Sequence, residues 1–102
     1  MPSEEYKAFS QITVDDVADY IRLNEVTVKE RTLLTTMLAS ARSHVLAYTG
    51  QTEEKADTFP EFTIAVYAIC EDMYDKRTFQ ADAGSVNEIV ASILGSRSIN
   101  LL

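Results

Sequence analysis

The feature that most constrains this chain is an unbroken helical pattern from Thr27 to Gly50. Thr27 and Glu30 have the spacing at which a threonine hydroxyl and a glutamate carboxylate satisfy each other's backbone amides at a helix start. Leu34, Leu38, Ala41, Val45 and Tyr48 then recur at helical intervals, with Leu33, Met37 and Leu46 widening the apolar stripe. Gly50 supplies a stop. The pattern predicts a helix over 28–49, the longest element and the spine of the core.

Three further helices are legible. Thr13, followed by Asp15 and Asp16 where the helix dipole favours negative charge, predicts a short helix over 14–22 with Val14, Val17, Ala18 and Ile21 on one face. Pro60 suits a first helical turn, and Phe62, Ala65, Val66, Ile69 and Met73 continue the period to about Arg77. Ser85 and Glu88 repeat the capping spacing before a last short helix carrying Val86, Ile89, Val90 and Ile93 and closed by Gly95. Between them, 51–58 reads as an exposed loop because Glu53, Glu54, Lys55 and Asp57 crowd it, and 78–84 reads as a second loop. The expected fold is all-α: a small bundle of about four helices, one of them long and central, with flexible loops and a C-terminal tail from Ser96. At 102 residues and 46% hydrophobic content, 1–102 makes one domain and has no room for two.

Charge and residue usage exclude several functions. A net charge of −7, with Lys29, Arg31, Lys55, Lys76, Arg77 and Arg97 scattered, argues against a reader of nucleic acid, whose affinity depends on clustered cations. Cys70 is the only cysteine, so no internal disulfide or thiolate cluster is possible, and a reducing cytoplasm suits it. No targeting or membrane-spanning segment is legible. His44, the single histidine, has no second His or Cys to complete a metal set or a triad. Glu71, Asp72 and Asp75 are explained by surface pairing, Asp72 with Lys76. The three glycines stand apart at element boundaries and build no phosphate cradle. The expectation is a protein that is no enzyme, takes no cofactor or metal, and works by binding other proteins. Tyr20, Tyr48, Tyr67 and Tyr74 read first as core rings with hydroxyls at a polar edge, and Tyr67 and Tyr74 second as partner contacts.

The order of these elements carries a resemblance. A short helix reading Thr13, Val14, Asp15, Asp16, Val17, then Tyr20, Ile21, Arg22, Leu23 precedes a long helix ending in Ala41, Arg42 and Tyr48, Thr49, Gly50. An apolar helix with Ala65 and Ile69 then closes in Met73, Tyr74, Asp75, Lys76 and Arg77. Over about residues 12–97 the chain resembles the head-tail connector family (gp6-like DNA-packaging adaptors) of tailed phages and prophages. It departs from the family pattern at Lys76, where many relatives have Asn, and in its last loop.

The resemblance implies a structural protein that assembles as a homo-oligomeric ring beneath the portal and joins the DNA-filled head to the tail. Its partners would be itself, the portal protein and tail-completion proteins, with DNA passing through the channel without specific binding and no membrane involved. Its place would be the host bacterial cytoplasm during assembly and then the virion head-tail junction. Candidate interface residues are Tyr67, Tyr74, Arg77, Arg97, Ile99, Leu101 and Leu102. The last three are apolar residues in a tail with no helix to bury them, which predicts that 96–102, like the loop 51–58, orders against a neighbour. A different class stays open: a small helical regulator or adaptor binding one protein partner as a monomer or dimer. A metal-dependent enzyme using Glu71, Asp72 and Asp75 stands third.

Overall fold

The computed structural model describes residues 7–76, 88 and 91–93, and among these every regular element is helical. A 3-10 turn at Phe9–Gln11 leads into α1 (Val14–Ile21), α2 (Val28–Thr49), α3 (Glu53–Ala56) and α4 (Pro60–Lys76). Residues 88 and 91–93 are also helical, within the segment expected to form the last helix.

The caps predicted at Thr13 and Thr27 form, while the one at Ser85 lies outside the described residues. The Thr13 hydroxyl accepts from the Asp16 amide at 3.1 Å while the Asp16 carboxylate accepts from the Thr13 amide at 2.9 Å. Thr27 and Glu30 do the same at the start of α2, at 3.1 and 3.4 Å. α2 ends at Gly50, whose φ of 72° places it in the left-handed region open to glycine and whose amide donates to the Leu46 carbonyl at 2.8 Å. α1 ends with its last apolar residue, Ile21, one residue before the end of the predicted range 14–22. Arg22 itself takes φ 72° and ψ 42°. Its amide and that of Leu23 then close onto the Asp19 and Ala18 carbonyls at 3.1 and 3.0 Å, which turns the chain toward α2.

α2 and α4 pack along each other, and α1 lies against both. The core takes Leu34, Met37, Leu38, Ala41 and Val45 from α2 and Phe62, Ala65, Val66, Ile69, Cys70, Met73 and Tyr74 from α4. Val17 and Ala18 of α1 complete the contact, and Ile93 packs partly buried against it. Phe9 is fully buried, its ring edge-on to Phe62 at 6.2 Å and 81°, while Phe59 stacks on Phe62 at 5.6 Å. Such aromatic pairs contribute about 0.5–1.5 kcal/mol each beyond the area they bury.

One segment departs from expectation, and one residue makes contacts for which the sequence offered no expectation. The stretch 51–58 is no free loop: it holds the short α3, capped by Thr52, with Ala56 fully buried. Asp57 accepts from both the amide and the hydroxyl of Ser10, each at 2.8 Å, fastening the segment to the 3-10 turn. Its charge density misleads because a short helix can keep Glu53, Glu54 and Lys55 in solvent while turning one alanine inward. Arg42, in the middle of α2, turns toward the protein and donates to the Phe9 carbonyl at 3.3 Å and, through Nη2, to the Ile12 carbonyl. Arg42 thus satisfies the chain leaving the 3-10 turn, where no ladder exists to do so.

Candidate partner-binding surface

Little classical site chemistry is brought together. His44 on α2 is half-buried, with its Nε2 enclosed and without a hydrogen-bond partner among the described residues. No group of three or more His, Cys, Asp or Glu side chains converges to hold a metal ion among the described residues. Asp72 pairs with Lys76 at 3.2 Å along α4, the four-residue ion pair its spacing predicts. Cys70 lies in the core, where burial pushes its thiol up to about 12 despite the opposing pull of Arg42. Such a thiol is almost wholly protonated at neutral pH and a poor nucleophile. Among the described residues no helix is long and apolar enough to cross a membrane.

The tyrosines sort by environment. Tyr74 is only 8% exposed, and its hydroxyl donates to Glu30 Oε2 at 3.0 Å, so the carboxylate that caps α2 also anchors the far end of α4. That position leaves little of Tyr74 to offer a partner. Tyr67 is half-buried and stacks face to face on Tyr20 of α1, ring centroids 5.0 Å apart and planes within 10°. Tyr20 is 43% exposed, so the pair forms an aromatic surface on the seam between α1 and α4. Burial raises the Tyr67 phenol, and nearby Asp16 and Asp19 raise it further, which keeps it a hydrogen-bond donor at neutral pH. Asp16 is itself held below the ordinary carboxylate value. Partial burial pulls it up, but the Thr13 amide, the Lys7 ammonium at 3.1 Å and the Thr13 hydroxyl together outweigh that pull. Arg77, Arg97, Ile99, Leu101 and Leu102 lie outside the described residues.

A second surface runs along the outside of α2. Thr32, Thr35, Thr36, Ala39, Ser43 and Ala47 are exposed, and the hydroxyls of Thr32, Thr35 and Thr36 donate to carbonyls one turn back at 3.1, 2.7 and 3.2 Å. From Thr32 to Gly50, Arg42 is the only Asp, Glu, Lys or Arg, and it turns inward. This face of an acidic protein is therefore small and uncharged. Sequence reading by apolar period misses it because its residues count as neither core nor charged surface.

Comparison of the chain with protein-family models, curated proteins and solved structures gives no match.

Proposed function

We propose that this protein is a head-tail connector subunit of a tailed phage or prophage, one copy of a ring that sits beneath the portal and joins the filled head to the tail. The observation that carries this reading is where the residues of the resemblance fall in the fold. Asp15 and Asp16 occupy the first turn of α1, Tyr48, Thr49 and Gly50 close α2, and Met73 to Lys76 form the last turn of α4. The first two mark element boundaries, as expected if such motifs define the geometry of a shared fold, while the third reaches the last described residue of α4.

Two physical properties support the reading. The uncharged outer face of α2 lets neighbouring copies approach closely without desolvating charge, as a closed ring requires. A net charge of −7 disfavours tight hold on phosphates, which suits a subunit lining a DNA passage. On this reading the protein gathers in the host cytoplasm during assembly and ends at the head-tail junction, with portal and tail-completion proteins as partners.

The test is negative-stain electron microscopy of the purified protein mixed with portal protein from the same genome, with the protein alone as control. Rings stacked on portals are expected. Bare portals, with the protein monomeric or dimeric across several salt conditions, would overturn the proposal in favour of an adaptor that binds a single partner.

A further inference from the structure

We propose that the stacked Tyr20–Tyr67 pair, with Asp19 beside it and Ile64 one turn away, is a docking site for an arginine-bearing segment of a partner protein. The inference does not depend on ring assembly. It begins from the exposure of two large apolar groups: Tyr20 of α1 at 43%, stacked on the half-buried Tyr67, and Ile64 of α4 at 53%, three residues before Tyr67. Ile64 precedes Tyr67 by three residues on α4, so the two share a face. The rings lie 5.0 Å apart and nearly parallel, so the pair is already ordered and a partner need not fix two loose rings.

The charges around the pair choose the occupant. Asp16 and Asp19 both lie close enough to Tyr67 to act on its phenol. Asp16 is engaged by Lys7 and by the cap of α1, so its charge is largely answered within the chain. Asp19 is exposed and makes no ion pair or hydrogen bond through its carboxylate among the described residues. Glu71, exposed one turn beyond Tyr67 on α4, adds negative charge along that helix. An exposed aromatic face next to a carboxylate that has no ion pair among the described residues matches a guanidinium, which stacks flat on a ring while its edge N–H groups meet the carboxylate. A lysine meets the charge but lacks the flat face, and an acidic segment is repelled. Ile64 sets the second requirement, an apolar side chain next to the arginine.

The test uses the full chain and a short synthetic peptide with the core Arg-Ile-Arg, followed by NMR at low salt and compared with Lys-Ile-Lys and Glu-Ile-Glu peptides. Ring protons of Tyr20 and Tyr67 should shift on titration with the arginine peptide, more weakly with the lysine peptide, and not with the acidic one. Tyr20→Ala and Asp19→Asn, both at exposed positions, should each weaken binding about two- to fivefold, the range of an exposed cation-π contact, with unchanged circular dichroism. If the arginine peptide leaves both rings unmoved, the site is not a docking site. Equal binding of all three peptides, or binding unaltered by both variants, overturns the choice of arginine. Concentration-dependent shifts of the same rings in protein alone would show that a second copy of the chain, and not an arginine-bearing partner, covers the patch.

Discussion

Replacing Asp57 with alanine should loosen α3 and the N-terminal 3-10 turn together, because one carboxylate joins them. Its two oxygens accept from the amide and hydroxyl of Ser10, 47 residues away, each at 2.8 Å. Hydrogen bonds to a charged group contribute about 1.5–3 kcal/mol when shielded, and partial exposure at this site reduces the pair to about 1–2 kcal/mol. A domain of this length unfolds with an entropy near 0.2 kcal/mol per degree, so the melting temperature should fall by about 5–10 °C. Asp57→Asn keeps one acceptor oxygen and should lose about half as much. The assay is thermal unfolding by circular dichroism, with hydrogen exchange on the amides of Ser10 and of 53–57 as the local readout. If both variants melt like the parent and exchange at Ser10 is unchanged, the segment is a free loop after all and the reasoning fails.

Arg42→Ala leaves the Phe9 and Ile12 carbonyls without their guanidinium donor, and should destabilise the protein by about 2–3 kcal/mol, with Arg42→Lys recovering less than half because it lacks the two-pronged donor; an Arg42→Lys protein as stable as the parent in urea titration would refute this. Cys70 gives the fold an alkaline limit. Its thiol is raised from an ordinary 9.0 to about 12, so the stabilisation is complete below pH 9 and is lost as pH rises toward 12, because the unfolded chain releases the proton first. Unfolding free energy should drop by about 1 kcal/mol between pH 8 and 10 from this group, and Cys70→Ala should flatten that slope; a slope unchanged by the substitution would assign the alkaline loss elsewhere.

Much of the fold is legible in the sequence because helix signals are local. Thr13, Thr27 and Gly50 act within one turn of themselves, and the boundaries they predict for α1 and α2 are met within a residue. What escapes sequence reading depends on residues far apart in the chain. Nothing near Arg42 says that it will face the Phe9 and Ile12 carbonyls, although one charge in a long uncharged stretch of helix is a usable hint. Ala56 in a run of acidic residues is read as solvent-facing until the 3-10 turn arrives to cover it. The site is legible only in part. Tyr67 and Tyr74 have similar local neighbours, yet one stacks at the surface on Tyr20 and the other is enclosed against Glu30, a difference set by which helix end each meets.

The distribution of charge gives the two candidate surfaces different physics, and that difference provides a test of the two proposed roles. The outer face of α2 offers methyl groups, small side chains and satisfied hydroxyls, so association through it is governed by apolar burial and close fit. The Tyr20–Tyr67 seam has exposed carboxylates beside its rings, so association there has an electrostatic part that salt screens over about 10 Å at 0.1 M. Raising ionic strength from 0.05 to 0.5 M should therefore leave self-association through α2 unchanged or slightly stronger while weakening capture of an arginine-bearing segment several-fold. Placing a charge on α2, as in Ala39→Glu, should do the reverse, breaking self-association while sparing peptide binding at the seam. If one perturbation weakens both events equally, the two surfaces are not independent and the assignment of separate roles is wrong.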